Sequence, residues 1–124
     1  MSRLRASLPA LAALLLAATP AIAGDAANGA KVFKTQCGAC HRAEIGKNLI
    51  GPSMFEIVGR KSSSVAGFKY SAANQAANLT WDAATLDKYL INPRETVPGT
   101  TMSYAGLKNE TQRADLISYL ESLK

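Results

Sequence analysis

The chain has 124 residues and a formal net charge of +5, with two cysteines and a single histidine in the whole sequence. Setting aside a leader that carries Arg3 and Arg5 leaves 101 residues, the size of one small domain, with a net charge of +3. Its cations are dispersed rather than striped, which excludes a nucleic-acid-binding surface, and no run beyond residue 23 is apolar and long enough to span a bilayer.

The first 23 residues read as a cleaved signal peptide. Arg3 and Arg5 form a positive start, an apolar stretch runs from Leu8 to Ala18, and Ala21-Ile22-Ala23 is a small-residue cleavage site. From Leu8 to Ala23 there are 16 residues interrupted by Pro9 and Pro20, fewer than the ~20 of a membrane span. The expected domains are therefore residues 1–23, removed on export, and 24–124, with a periplasmic location and no permanent membrane anchor.

Helical signals follow. Asp25 is placed to cap a helix through Gly29, Val32 and Phe33. Pro52 suits the first turn of a short helix through Met54, Phe55, Ile57 and Val58, stopped by Gly59. Ser62 to Gly67 reads as a polar loop. Thr80 or Asp82 can cap a helix bearing Leu86, Tyr89, Leu90 and Ile91, which must end near Asn92 because Pro93 follows. In the last segment Asn109 and Gln112 resemble a capping box, and Leu116, Ile117, Tyr119, Leu120 and Leu123 recur at helical spacing. No period-2 run predicts a strand. The expected fold class is all-α, with short helices and long loops wrapped around a large apolar cofactor.

Cys37-Gly38-Ala39-Cys40-His41 identifies that cofactor. Both cysteines and the only histidine fall in five consecutive positions, the C-x-x-C-H pattern of covalent haem attachment. Residues three apart on a helical turn are roughly 300° apart around the axis, so both thiols can meet one porphyrin edge, and the histidine follows as an iron ligand. A zinc site would want a fourth ligand, a thioredoxin-like dithiol would want a preceding strand, and a disulfide across two residues would close almost no loop.

With His41 used no second histidine is available, and the usual remaining iron donor is a methionine thioether. Met54 lies on the apolar face of the predicted 52–58 helix and reads as core, whereas Met102 sits in the loop Pro98-Gly99-Thr100-Thr101-Met102 and can reach iron from the other face. Both faces being taken, the arrangement suits one-electron transfer better than the alternative of a haem enzyme or ligand sensor, since no spare distal base is present. A third reading is a subunit of a larger complex.

The chain resembles class I cytochrome c, in particular the small soluble bacterial type close to the mitochondrial protein. The resemblance covers essentially all of Asp25 to Leu123 and rests on the haem motif together with Gly51-Pro52, Gly59-Arg60-Lys61, Gly67-Phe68-Lys69-Tyr70-Ser71, Leu79-Thr80-Trp81, Tyr89-Leu90-Ile91-Asn92-Pro93 and the 98–106 loop. It implies one haem c per chain bound through Cys37 and Cys40, with iron held by His41 and Met102. It also implies that the Pro52 carbonyl orients His41, that Arg60, Tyr70 and Trp81 serve the propionates, and that Asn74, Tyr89 and Thr100 form a polar network beside Met102. The implied function is a monomeric, non-enzymatic carrier in a respiratory or photosynthetic chain. Its donor would be a membrane complex or dehydrogenase, and its acceptor an oxidase, reductase or reaction centre. Two departures stand out. Gln36, Glu95, Thr101 and Asn109 occupy positions that are basic in mitochondrial members, leaving Lys31, Lys34, Arg94 and Lys108, and Tyr104 stands where phenylalanine is common, adding a hydroxyl that needs a partner.

Overall fold

The computed structural model describes residues 23–124, so the leader expected over residues 1–23 lies outside it except for Ala23. The described residues form five helices: α1 (Ala26–Gln36), α2 (Ala72–Ala77), α3 (Ala83–Ile91), α4 (Pro93–Thr96) and α5 (Glu110–Glu121). The only β-type pairing among them is an isolated bridge between Lys61 and Thr80. The all-α expectation is met.

Each longer helix starts where a short polar side chain can accept an orphan backbone N–H. Asp25 accepts from the N–H of Asn28 at 3.0 Å, Asp82 from Thr85 at 2.8 Å, and Asn109 from Gln112 at 2.9 Å. Such caps are each worth about 1 kcal/mol, so they set helix boundaries without supplying the bulk of the stability.

The most extensive helix pairing is α1 crossing α5. Gly29 permits the approach: a Cβ there would lie 1.9 Å from the Asp115 carbonyl oxygen, so no larger residue fits without separating the helices. One turn on, Phe33 packs against Tyr119 with ring centroids 5.4 Å apart. The Asp115 carboxylate then ties down the start of the chain, accepting from the Asp25 N–H at 2.7 Å and from the Asn28 amide at 2.6 Å. Those two donors hold its pKa below the ordinary carboxylate value.

Helix α3 joins this pair through a polar hinge and an apolar wall. Buried Arg113 on α5 donates to Asp87 of α3 at 2.7 Å and to the Leu107 and Lys108 carbonyls at 3.1 and 3.2 Å. With its nitrogens bonded to one carboxylate and two carbonyls, this guanidinium is a satisfied structural cation. Leu86, Leu90, Leu116 and Leu120 face inward from α3 and α5, and Trp81 and Val97 complete the core.

The helix expected over 52–58 is absent. Its backbone groups are claimed from elsewhere. The Met54 N–H donates to Arg42 and the Glu56 N–H to Leu123, the Pro52 carbonyl lies 2.8 Å from the His41 ring nitrogen, and Arg60 takes the Ser53 and Phe55 carbonyls. Glu56 adopts φ of 53°, which breaks any helix at that point. Met54 is therefore on an irregular wall segment rather than a helix face. Two short helices were not anticipated. Helix α2 begins at the Ser71 cap, and in α4 Pro93 both ends α3 and starts a new turn as its first residue.

Candidate functional site

The helices and loops enclose a cavity of about 370 Å³, within the range of small-molecule sites. Into it project all eleven residues singled out in sequence: Cys37, Cys40, His41, Pro52, Arg60, Tyr70, Asn74, Trp81, Tyr89, Thr100 and Met102. The chain thus brings residues from three loops and two helices to one wall. Met54 lines it as well.

The C-x-x-C-H segment continues α1 as one tight turn. The Cys37 N–H donates to Phe33 at 2.8 Å, and the Cys37 carbonyl accepts from Cys40 at 3.1 Å and from His41 at 2.9 Å. Arg42 pins the turn from outside by donating to the Gly38 and His41 carbonyls. Both cysteines are free thiols. Burial pushes the Cys37 thiol up to about 11, with Cys40 a lesser cause. A thiol held so firmly protonated is a poor redox dithiol, whose attacking cysteine needs a lowered pKa.

His41 is oriented by the segment that follows. Its Nδ1 lies 2.8 Å from the Pro52 carbonyl, so Nδ1 carries the proton, and Nε2 is left with the lone pair that a metal requires. Burial lowers the pKa of this imidazole and favours that neutral form. Gly51 is what lets the segment come so close: a Cβ there would sit 2.1 Å from the His41 Cε1.

On the Met102 side, the Tyr89 hydroxyl donates to the Met102 sulfur at 3.6 Å, and the Met102 N–H donates to the Thr100 hydroxyl oxygen at 3.2 Å. Burial pushes the Tyr89 phenol up to about 12, so it stays a donor throughout the physiological range. Trp81 packs on Tyr89 with centroids 4.8 Å apart. Asn74 does not join Met102 directly. Its side-chain oxygen accepts from Ser63 at 2.6 Å and so fixes the loop before α2.

The remaining wall carries an unsatisfied cation. Arg60 donates to Phe55 at 2.8 Å and Ser53 at 3.0 Å, yet its Nε is buried with no partner among the described residues. Tyr70, whose oxygen accepts from the Val65 N–H at 3.0 Å, keeps its own proton to donate. Arg60 and Tyr70 both line the cavity, and a propionate on a bound haem would be an acceptor for the Tyr70 hydroxyl and a counter-charge for the Arg60 guanidinium. Thiols, imidazole, thioether, a phenol and a guanidinium around one cavity make a set that fits haem c. No group of three or more His, Cys, Asp and Glu converges among the described residues, which disfavours the zinc alternative.

Sequence reading missed the apolar lining, notably Ile57, Phe68, Leu86 and Leu90. The pair Leu86 and Leu90 was legible as one helix face, but whether that face covers a cofactor or another helix is not written in its period.

A helical shell around an apolar cavity, with a C-x-x-C-H turn in its wall, defines the class of c-type haem proteins. Residues 26–124 match the family model described as Cytochrome c. The chain is 50% identical over 100 residues to a cytochrome c of Chlamydomonas reinhardtii, covering 80% of this chain and 89% of that one. It is 43% identical over 101 residues to a cytochrome c of Euglena viridis (82% and 99%), and 46% identical over 99 residues to cytochrome c 2.1 of Caenorhabditis briggsae (80% and 88%). The chain belongs to the cytochrome c family, with the class I fold. It carries one covalent haem c, with Cys37 and Cys40 as its thiols, and it is an electron carrier that works with redox protein partners.

One expectation is overturned. These relatives come from a green alga, a euglenid and a nematode, eukaryotes that have no periplasm, so the periplasmic location does not stand. The residues behind it, a basic start and an apolar stretch, encode charge and apolarity but not which membrane they address.

Proposed function

We propose that His41 and Met102 are the two iron ligands and that the chain shuttles single electrons from a membrane complex or dehydrogenase to an oxidase, reductase or reaction centre, as a monomer without catalytic activity of its own. The observation that carries this reading is the Tyr89 hydroxyl donating to the Met102 sulfur inside the same cavity where Pro52 orients His41. Bound haem supplies a one-electron Fe(III)/Fe(II) couple. The chain's residues do the rest. Pro52 holds the imidazole in the tautomer with Nε2 free, and the Tyr89 hydrogen bond orients one sulfur lone pair and leaves the other for the metal. Arg60 and Tyr70 line the cavity where they would meet the propionates of a bound haem, and Trp81 with the leucines of α3 and α5 excludes water. A soft thioether and burial both favour the reduced state. Met54, two residues after Pro52, belongs to the wall that grips His41, whereas Met102 comes from a different loop.

The surface around the cavity mouth supports a partner held by little charge. Gln36, Ile50, Thr101 and Ser103 line the cavity and are exposed, with Lys69 the one exposed cation of that lining. Lys31, Lys34, Arg94 and Lys108 are exposed farther out. Steady-state oxidation of the reduced protein by respiratory or photosynthetic membranes, followed from about 10 to 150 mM ionic strength, should fall less than about tenfold, because Lys69 is the one exposed cation among the residues lining the mouth. Absence of turnover at every ionic strength would remove the carrier role proposed for these partners.

We further propose that residues 1–23 are a leader that is removed, leaving 24–124 as the haem-bearing domain. Support comes from Gly24, the expected first residue, where a Cβ would lie 2.2 Å from the Ala114 carbonyl oxygen, so this residue is packed against α5. Intact mass of the purified holoprotein should equal residues 24–124 plus one haem; a mass retaining the first 23 residues would refute this boundary.

A further inference from the structure

We propose that Tyr104 and Gln36 form a latch that holds the Met102 loop shut across the cavity mouth, making Tyr104 a positioning residue for the iron ligand. The inference rests on the assignment of Met102 to iron. The Tyr104 hydroxyl donates to the Gln36 side-chain oxygen at 2.9 Å, joining residues 68 apart in sequence. Both line the cavity, Gln36 exposed and Tyr104 half-buried.

What gives this bond weight is how little else restrains the loop. Residues 101–109 have no regular secondary structure. At its ends the loop is fixed, by the Thr100 N–H to Val97 at 3.0 Å and the Leu107 N–H to Leu90 at 2.7 Å. Between those anchors, among the described residues, 101–106 make two hydrogen bonds outside the loop. One is Tyr89 to the Met102 sulfur, and the other is Tyr104 to Gln36. The first holds the ligand and the second holds the loop.

Gln36 is also a firm anchor. It is the last residue of α1 and directly precedes Cys37, whose thioether attaches that end of the helix to the haem. The latch therefore ties the loop bearing one iron ligand to the chain segment covalently fixed to the same group. A phenylalanine at 104 would keep the ring packing and lose the tie.

Ligand entry reads the latch directly, because an external nitrogen donor can reach ferric iron only when the Met102 sulfur leaves and the loop lifts. With imidazole as the probe and holoprotein throughout, Tyr104→Phe should bind about fivefold more tightly, the worth of one neutral hydrogen bond lost from the closed state. Gln36→Ala should do the same, and the double variant should bind no more tightly than either single variant, as coupled partners require. Gln36→Glu, which keeps an acceptor, should bind at or below the wild-type level. The wild-type far-red band of sulfur-bound ferric iron should persist in all four variants without imidazole, and thermal midpoints should stay close, which separates loop opening from general destabilisation. Wild-type imidazole affinity in Tyr104→Phe, or additive effects in the double variant, would overturn the latch. A wild-type protein lacking the far-red band would instead overturn the Met102 assignment, and the latch with it.

Discussion

Met102→Ala is expected to abolish the far-red band of the ferric protein, to let carbon monoxide bind the ferrous form readily at neutral pH, and to lower the reduction potential by at least about 59 mV, a tenfold shift in a one-electron equilibrium. The change removes the sulfur to which Tyr89 donates at 3.6 Å, leaving that buried hydroxyl without its acceptor. Water or an external ligand then has a route to the vacant side, and a harder oxygen donor no longer favours the reduced state. Loss of a half-buried methionine should also cost about 2 kcal/mol of stability, at the low end for Met to Ala because the loop is irregular and can partly collapse. Spectroelectrochemistry and gas titration of the same preparation check each part. An unchanged visible spectrum and midpoint would move the ligand role to Met54, which lines the same cavity.

Replacing both thiols should have the larger effect. In the double variant Cys37→Ala, Cys40→Ala no haem should survive denaturing electrophoresis, whereas either single variant should keep one thioether and stain for haem. The reason is structural as well as chemical. Leu86, Leu90, Leu116 and Leu120, all buried in the core, line the cavity of about 370 Å³, where the porphyrin would be their neighbour on the open side. Apolar walls facing a void lose both transfer free energy and contacts, so a chain that cannot retain the group should also lose most of its cooperative unfolding transition. Far-ultraviolet circular dichroism on heating tests that part. Haem retained covalently by the double variant would refute the attachment through these thiols.

Local chemistry made much of this legible. Helices α1, α3 and α5 begin at Asp25, Asp82 and Asn109, as capping rules require, and α3 stops before Pro93. The segment 52–58 satisfies a helical template because Met54, Phe55, Ile57 and Val58 follow a proline at i, i+1, i+3 and i+4, while nothing local reveals that the Pro52 carbonyl will be taken by a ring eleven residues earlier. Helices α2 and α4 escaped notice for a related reason. At six and four residues they carry no amphipathic stripe, and tertiary contacts rather than propensity sustain them.

The cofactor class was determined by sequence alone, since the C-x-x-C-H spacing and the absence of any other thiol or imidazole in the chain are facts of composition and order. For a second ligand the same order of residues offers two candidate thioethers beyond the leader, Met54 and Met102. What tertiary structure decided is how those groups are held. Nothing in the order of residues could reveal that Gly51 leaves room for the His41 ring, that Arg60 takes the Ser53 and Phe55 carbonyls, or that the Tyr104 hydroxyl finds Gln36. Chemical identity is carried by residue type, but positioning depends on contacts between segments 11 to 90 residues apart, and only the folded chain brings those together.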